Sequence, residues 1–353
     1  MTAGAERIRV LVVDDSAVNR RSIADALSQS PEVEIVGKAA DGEEALRLAL
    51  LLKPDVLTLD LEMPRMDGFT FLRILMSRQP TPVVVVSSYS QKENVFKALE
   101  LGALDFVAKP DRQHTIDLSG IRDELLAKVL MVRGLRASAL AMRPRMESIS
   151  GVHNLSAPSP RERTSPERVI AIAASTGGPT ALLEVFRRLP DQFSHAVLVA
   201  QHMPDKFTRT FAARLDRGAR VAVSEAADGD GVCAGFAYVC PGRHCMELGR
   251  DSAGALRLGV VAPGPSDRYV PSADRLFASL ARSVGPKAVA VILTGMGDDG
   301  AEGAAAVLAA GGLVVAESEQ SAVVYGMPGA AVRRGVVSRS LGITQIADFL
   351  SNL

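Results

Sequence analysis

The chain has 353 residues, enough for two domains of ordinary size. Its 40 basic and 40 acidic residues cancel, so the overall charge gives no reason to expect nucleic acid or an anionic membrane as a partner. No secretory pattern opens the sequence, and no apolar run approaches the roughly 20 residues that span a bilayer, so we expect no direct membrane insertion. Three cysteines without CxxC spacing are typical of reduced thiols, and we therefore predict a cytoplasmic protein.

Short apolar runs alternate with amphipathic stretches from residue 7 to residue 130. The pattern predicts five strands, at 8–13, 33–37, 56–61, 83–87 and 106–108, and five helices, at 16–29, 42–52, 68–79, 93–102 and 119–133. Near-continuous Val, Ile and Leu strands separated by helices indicate a parallel sheet covered on both faces. Residues 1–133 are therefore predicted to form a doubly wound α/β domain.

Residues 134–168 are rich in Ser, Pro and Arg and poor in large apolar side chains. This composition is typical of a mobile, solvated linker. A basic strip that meets an acidic partner is the alternative.

The same alternation resumes at residue 169. Strands are predicted at 169–174, 195–201, 236–240, 288–293 and 313–316, and helices at 180–189, 206–216, 272–284, 301–310 and 327–334. Residues 169–353 are thus predicted to form a second, larger doubly wound domain, which makes the fold class α/β with two parallel sheets.

Five functional groups fall at strand ends of the first domain: Asp14, Asp15, Asp60, Ser87 and Lys109. In open parallel sheets, ligands bind outside the carboxyl ends of the strands. Clustered carboxylates with hard oxygen ligands suit Mg²⁺, and one carboxylate can attack a phosphoryl donor while a lysine and a hydroxyl stabilise the transferred charge. A single aspartate at a strand end is more often a turn former, but five such groups together favour a site.

This first part of the chain resembles the two-component receiver domain, which is flavodoxin-like. The resemblance implies that Asp60 is the phospho-acceptor, that Asp14 and Asp15 form the acidic metal pair with it, and that a histidine kinase supplies the phosphoryl group. By the same resemblance Ser87 and Lys109 are the switch hydroxyl and the phosphate-binding lysine. Phe106 stands at the aromatic switch position.

In the second domain a serine, a histidine and an aspartate follow three predicted strands: Ser175, His202 and Asp299. They can act as nucleophile, base and orienting acid at one sheet edge, with the amides of residues 176–178 free to bind an anion. Taken one at a time, each has a structural explanation as a helix cap or a turn residue. The order Ser, His, Asp and the absence of a GxSxG elbow disfavour the α/β-hydrolase fold.

A different class of protein also fits one motif. Residues 295–300 read GMGDDG and match the dinucleotide fingerprint GxGxxG, and Glu317 stands where an acid would meet a ribose. Two aspartates inside the loop would repel a pyrophosphate, and the unit comes late in its domain. A nicotinamide-dependent oxidoreductase is therefore disfavoured.

Residues 169–350 resemble the catalytic domain of the chemotaxis response regulator protein-glutamate methylesterases, in AIAASTGGPTAL, VAQHMPDKFTRTFAARLD, PSADRLF and AVILTGMGDDGAEG. The resemblance implies that Ser175 is the nucleophile, His202 the general base and Asp299 the orienting acid. It places Thr176 and Met296 in the active-site shell, with the Met296 amide as an oxyanion donor, and it implies no cofactor for the esterase.

The implied activity is phosphorylation-activated hydrolysis of glutamate methyl esters, with deamidation of glutamines, on chemoreceptor cytoplasmic domains. The alternative is a phosphorylation-gated binding protein without catalysis. Three places depart from the family pattern: Ala173 replaces a usual glycine, Ala322 stands where cysteine is frequent, and Arg268-Tyr269-Val270 differs from an Arg-His-Arg-like run. None of these departures removes a catalytic group.

Overall fold

The computed structural model describes residues 6–88, 92–109, 119–135 and 164–353. The chain divides into two compact units, Met1–Glu147 and Ser148–Leu353. The division falls within the predicted linker, most of which lies outside the described residues. None of the helices in the described ranges is long and apolar enough to cross a bilayer.

The N-terminal unit is built on a five-stranded parallel sheet with the order β2-β1-β3-β4-β5. The strands are β1 (Ile8–Val13), β2 (Val33–Ala39), β3 (Val56–Leu59), β4 (Val83–Ser88) and β5 (Asp105–Lys109). The helices are α1 (Ala17–Ser28), α2 (Gly42–Leu52), α3 (Gly68–Arg78), α4 (Lys92–Glu100) and α5 (Ser119–Leu130). This is the flavodoxin-like strand order, and its topological switch point lies between β1 and β3.

The helices of this unit begin where the sequence offers a capping side chain. Ser16 accepts a hydrogen bond from the Asn19 amide at the start of α1, and Asp67 accepts one from the Thr70 amide at the start of α3. Strands β1 and β3 are buried almost throughout, because helices cover both faces of the sheet. The polar residues that follow these strands therefore lie at the rim of a closed apolar core.

The C-terminal unit has a seven-stranded parallel sheet with the order β14-β13-β12-β6-β7-β9-β8 and a separate antiparallel pair, β10-β11. The strands are β6 (Val169–Ala174), β7 (Ala196–Gln201), β8 (Ala222–Glu225), β9 (Phe236–Val239), β10 (Cys245–Arg250), β11 (Leu256–Val261), β12 (Ala288–Ile292), β13 (Leu313–Glu317) and β14 (Arg339–Leu341). The helices are α6 (Gly178–Arg188), α7 (Asp205–Gly218), α8 (Ala273–Val284), α9 (Ala301–Ala309), α10 (Met327–Arg333) and α11 (Ile343–Ser351).

The chain starts this sheet in the middle. On one side of β6 lie β7, β9 and the edge strand β8. The later strand β12 pairs with the other side of β6. The switch point therefore lies between β6 and β12, where a crevice opens at the carboxyl ends of the strands. The residues that follow β6, β7 and β12 share that edge.

The predicted parallel α/β fold of both units is confirmed, and the predicted elements agree with the observed ones to within a few residues. The prediction of only five strands in the C-terminal unit was wrong, because β8, β10, β11 and β14 were missed, as was helix α11. Strands β8 and β14 are short and partly exposed, and β10-β11 is a hairpin outside the main sheet, so none of them has the continuous apolar run of a buried strand.

Candidate functional site

An acidic pocket lies at the switch point of the N-terminal sheet. Asp14 follows β1 and Asp60 follows β3, and carboxylate oxygens of Asp14, Asp15 and Asp60 lie within 4.8 Å of one another. Asp14 and Asp60 are buried, whereas Asp15 is exposed. Lys109 Nζ, at the end of β5, lies 2.5 Å from Asp60 Oδ2 and 2.9 Å from Asp14 Oδ2. The structure thus brings together four of the five groups that the sequence placed at this edge.

Burial and charge act in opposite directions on the two key groups of this pocket. Burial raises the pKa of Asp14, with a further contribution from the Asp60 charge, although the Lys109 ammonium opposes the shift. Burial disfavours the charged form of Lys109, but Asp60 and Asp14 outweigh it and the pKa of Lys109 is raised. The lysine therefore stays protonated between two carboxylates, and the pocket holds an excess of negative charge that a divalent cation would offset.

The predicted switch residues Ser87 and Phe106 are both buried. Ser87 lies in β4 opposite Ala108 of β5, and Phe106 packs edge-on against Phe96 with ring centroids 6.3 Å apart. The backbone oxygen of Phe106 accepts a hydrogen bond of 2.6 Å from Lys128 Nζ.

Lys128 was not recognised from the sequence. Its Nζ lies 3.1 Å from Asp105 Oδ1, 3.2 Å from Glu124 Oε1 and 5.5 Å from the Phe106 ring centroid. The four-residue spacing of Glu124 and Lys128 on α5 predicts the local ion pair, but the contact with β5 depends on tertiary packing.

In the C-terminal unit Ser175 and His202 lie side by side. Ser175 follows β6 and His202 follows the neighbouring strand β7, and the His202 amide donates to the Ala174 oxygen at 2.9 Å. The Ser175 amide donates to the Thr294 oxygen at 3.0 Å, which joins the end of β6 to the segment after β12. Both residues therefore lie at the crevice of the sheet.

Asp299 holds the imidazole of His202. Its Oδ2 lies 2.8 Å from His202 Nε2, and Asp299 is 1% exposed. The same carboxylate accepts hydrogen bonds from the amides of Ala273 and Asp274, at 2.8 and 3.0 Å, in the first turn of α8. A carboxylate that accepts hydrogen bonds from two helix amides is held in one orientation, so it can orient the imidazole.

The side chains of Ser175 and His202 are not hydrogen-bonded to each other in this structure. Among the described residues, no hydrogen bond links Ser175 Oγ to His202. With Nε2 held by Asp299, Nδ1 is the ring nitrogen that remains for the serine that the sequence predicts as nucleophile. Catalytic contacts of this kind often tighten only when substrate binds.

The predicted shell residues Thr176 and Met296 lie beside Ser175. Thr176 is buried, and its backbone oxygen accepts a 2.9 Å hydrogen bond from Thr294 Oγ1. Met296 has 43% of its surface exposed and follows Gly295, where an added Cβ would lie 2.8 Å from Ser175 Cβ. The backbone at Gly295 therefore passes directly against Ser175.

The expectation that the Gly178 amide is free to bind an anion was wrong. The Gly178 amide donates to the Ser175 oxygen at 2.8 Å, because the chain turns tightly into α6 there. Gly177 precedes α6 with a φ of 77°, which favours glycine.

The sequence did not reveal the side chains that hold these loops. Gln201 Nε2 donates to the backbone oxygens of Ser175 and His202. Buried Glu317 accepts from the Thr294 amide at 2.8 Å and from Ser321 Oγ at 2.8 Å. The position of each at the end of a strand is a signal that could have drawn attention to it.

The GxGxxG match has a different structural role. Asp299 of this loop is hydrogen-bonded to His202 and to the start of α8. Glu317, the expected ribose ligand, is hydrogen-bonded to Thr294 and Ser321. Neither carboxylate is available to a dinucleotide. The dinucleotide interpretation therefore finds no support in the contacts of this loop.

A flavodoxin-like unit with an acidic pocket and a lysine, joined to an α/β unit that gathers serine, histidine and aspartate, defines a response regulator with a hydrolase as its output. Family models match both parts: the CheB methylesterase over residues 170–350 and the response regulator receiver domain over residues 10–118. This chain therefore belongs to the CheB methylesterase family, the protein-glutamate methylesterase/protein-glutamine glutaminases, as a member with a receiver domain.

Individual relatives agree. The chain is 53% identical to protein-glutamate methylesterase/protein-glutamine glutaminase 6 of Anaeromyxobacter dehalogenans, over 95% of this chain and 93% of the relative. It is 47% identical to the enzyme numbered 3 of Geobacter sulfurreducens, over 97% and 96% of the two chains. The crystal structure of the Thermotoga maritima CheB methylesterase catalytic domain is similar with a TM-score of 0.51 and 35% identity, over 52% of this chain and 97% of that one. The resemblance stated from the sequence is thereby confirmed.

Proposed function

We propose that this chain is a phosphorylation-activated serine esterase that hydrolyses glutamate γ-methyl esters, and deamidates glutamines, on the cytoplasmic domains of chemoreceptors. Ser175 is the nucleophile, His202 the general base and Asp299 the orienting acid. The observation that carries the proposal is the 2.8 Å contact between His202 Nε2 and Asp299 Oδ2, at the sheet edge where Ser175 follows β6. The receiver is assigned to residues 1–133, the linker to 134–168 and the catalytic domain to 169–353.

The first chemical step is acyl transfer to the serine. Ser175 Oγ forms a bond to the γ-carbonyl carbon while its proton passes to His202 Nδ1, and the negative charge moves to the carbonyl oxygen. The Met296 amide donates to that oxyanion, supported by the close approach of the preceding residue, Gly295, to Ser175, with Thr176 in the shell beside it. A preorganised donor at this position typically contributes about 10²–10³-fold in rate.

The intermediate then collapses and is hydrolysed. The C–O bond to the methoxy group breaks as the imidazolium returns its proton, and methanol leaves a glutamyl-serine ester. Water attacks the ester with His202 again as base, which restores Ser175 and yields glutamate. With glutamine as substrate, ammonia takes the place of methanol as leaving group. Asp299 stabilises the imidazolium in both half-reactions.

Phosphorylation at Asp60 controls the esterase. The oxygen donors of Asp14, Asp15 and Asp60 fit Mg²⁺, which prefers carboxylates together with phosphate oxygens. When bound, the ion neutralises charge on the transferred phosphoryl group. Lys109, already beside Asp60, and the Ser87 hydroxyl bind phosphoryl oxygens after transfer from a histidine kinase.

The test is methanol release from a methylated receptor cytoplasmic fragment, with and without a small phosphoryl donor and Mg²⁺. Ser175→Ala should abolish release and leave phosphorylation of Asp60 intact, whereas Ser252→Ala, an exposed serine in the β10-β11 turn, should behave as the parent chain does. Asp60→Asn should retain a basal rate that the phosphoryl donor no longer raises. Esterase activity in the Ser175→Ala chain would overturn the assignment.

A phosphorylation-gated binding protein without catalysis, the alternative that the sequence left open, is disfavoured. It requires that the parent chain bind the receptor fragment when phosphorylated and release no methanol at any level of phosphorylation. The intact contact between His202 and Asp299 favours the enzyme, since a binding module gives no reason to keep a buried acid on an imidazole.

A further inference from the structure

The ring of Tyr269 stacks on the imidazole of His202. The two planes are 5° from parallel and their centroids are 5.3 Å apart. Tyr269 belongs to the segment before α8 in which the sequence departs from the family pattern. One face of the proposed base is therefore covered by a side chain to which the family resemblance assigned no role.

Asp298 anchors Tyr269 in this position. Tyr269 Oη donates to Asp298 Oδ1 at 3.0 Å, and Arg268 lies on the same carboxylate, with its Nη1 3.4 Å from Asp298 Oδ2. Burial and the neighbouring Asp298 carboxylate raise the pKa of Tyr269, so its hydroxyl remains a donor. The Arg268 guanidinium also lies 5.4 Å from the centroid of the tyrosine ring.

The loop after β12 has a glycine, Gly297, where it contacts Tyr269. Gly297 has a φ of 89°, and an added Cβ there would lie 2.5 Å from Tyr269 Oη. Any other residue at position 297 would be strained and would displace the hydroxyl. Gly297 and Tyr269 therefore fit closely together in this chain, and the positive φ favours glycine at position 297 whatever residue stands at 269.

We propose that Tyr269 is a positioning residue for the base: it covers one face of the imidazole and, through Asp298, fixes the plane of the ring while Asp299 holds its Nε2 edge. Asp299 therefore contacts His202 directly, whereas Asp298 acts on His202 through the ring of Tyr269. An aromatic face carries partial negative charge, so the stack also favours the imidazolium that forms when His202 accepts the proton. This inference rests on the proposed function, in which His202 is the base.

The test separates positioning of His202 from docking of the receptor. The variants are Tyr269→Leu, Tyr269→Phe and Asp298→Ala in the full chain, each assayed in two ways. One assay gives kcat and KM for methanol release from a methylated receptor fragment. The other gives the rate at which a small fluorophosphonate inactivates Ser175, which needs the base but no receptor surface.

We expect Tyr269→Leu to lower both kcat and the inactivation rate by roughly tenfold, the factor that corresponds to 1.4 kcal/mol, with KM nearly unchanged. Tyr269→Phe keeps the ring but loses the anchor, so it should match Asp298→Ala, and the double variant should lose no more than either single one. Phe349→Leu removes another arginine-stacked aromatic ring, on α11, and should leave both assays unchanged.

A raised KM with a normal inactivation rate in Tyr269→Leu would overturn the proposal, since it would make Tyr269 a docking residue. Parent values in both assays would overturn it as well. If Tyr269→Leu does not fold, Tyr269→Phe and Asp298→Ala decide by the same criteria. The Ser175→Ala chain keeps the two proposals distinct: inactivation or methanol release in that variant removes the proposed function itself, whatever Tyr269 does.

Discussion

Gln201 Nε2 lies 2.9 Å from the backbone oxygen of Ser175 and 2.9 Å from the backbone oxygen of His202. One buried amide thus uses both of its hydrogens to join the proposed nucleophile and the proposed base. Within the described part of the chain, Gln201 Oε1 is buried without a hydrogen-bond partner. The side chain therefore acts here through its two N–H donors and not through its oxygen.

Replacing Gln201 by Met keeps the volume and removes both donors. The His202 oxygen then loses the Gln201 donor, and the Ser175 oxygen keeps only the Gly178 amide; a buried acceptor left without a partner costs about 1–3 kcal/mol. We expect a lower free energy of unfolding for the C-terminal unit and a kcat reduced at least roughly tenfold, because the residues that follow β6 and β7 lose one of the contacts that join them. Urea unfolding and methanol release measure the two effects.

Gln320→Met, at an exposed position, is the control for the general effect of this change. A Gln201→Met chain as stable and as fast as the Gln320→Met chain would show that the amide does not hold the two residues together.

Asp299→Asn tests the orienting acid. The substitution removes the negative charge beside the imidazole and leaves one acceptor oxygen for His202 and the two α8 amides. In a Ser-His-Asp triad whose residues have the same roles, the Asp→Asn change lowers kcat by about 10⁴. We therefore expect a loss of that order in kcat and a small change in KM. Helix α8 also loses an anion at its first turn, so thermal unfolding should occur at a lower temperature.

Asp348→Asn, on the final helix, should leave both quantities unchanged. If Asp299→Asn retained more than about a tenth of the parent kcat, the carboxylate would not be the orienting acid of a triad.

Asp14→Asn tests the electrostatics of the acidic pocket. Because the folded pKa of Asp14 is raised above its unfolded value, its stabilising contribution is complete below the unfolded pKa of about 3.9 and is lost as the pH rises through the folded pKa. At pH 7 the ionised group therefore lowers stability. The variant should raise the free energy of opening of the N-terminal unit at pH 7, by an amount that shrinks as the pH falls toward 4.

Hydrogen exchange of the β1 amides measures this opening. Asp25→Asn removes a carboxylate from an exposed ion pair with Arg21 and should give no comparable gain. A loss of stability in Asp14→Asn at pH 7 would mean that its ion pair with Lys109 outweighs the cost of burying the charge.

The sequence was sufficient for the groups that follow central strands. Asp14, Asp60, Ser175 and His202 come directly after buried apolar runs, and a parallel sheet brings such positions to one edge whatever the details of packing. Gln201 and Tyr269 were not assigned a role, because their contacts depend on which atoms face each other across the crevice. The hairpin β10-β11 was missed for a related reason, since its strands are not part of the continuous apolar sheet.

The insertion of β12 beside β6 has a consequence for how the protein is made. The partners His202 and Asp299 are 97 residues apart, and the strand that delivers the aspartate pairs with the first strand of the unit. A nascent or truncated chain that ends before β12 contains a serine and a histidine but no acid to orient them. With the proposed roles, hydrolytic capacity would arise late in translation, only after β12 (Ala288–Ile292) has paired with β6 and Asp299 has followed it.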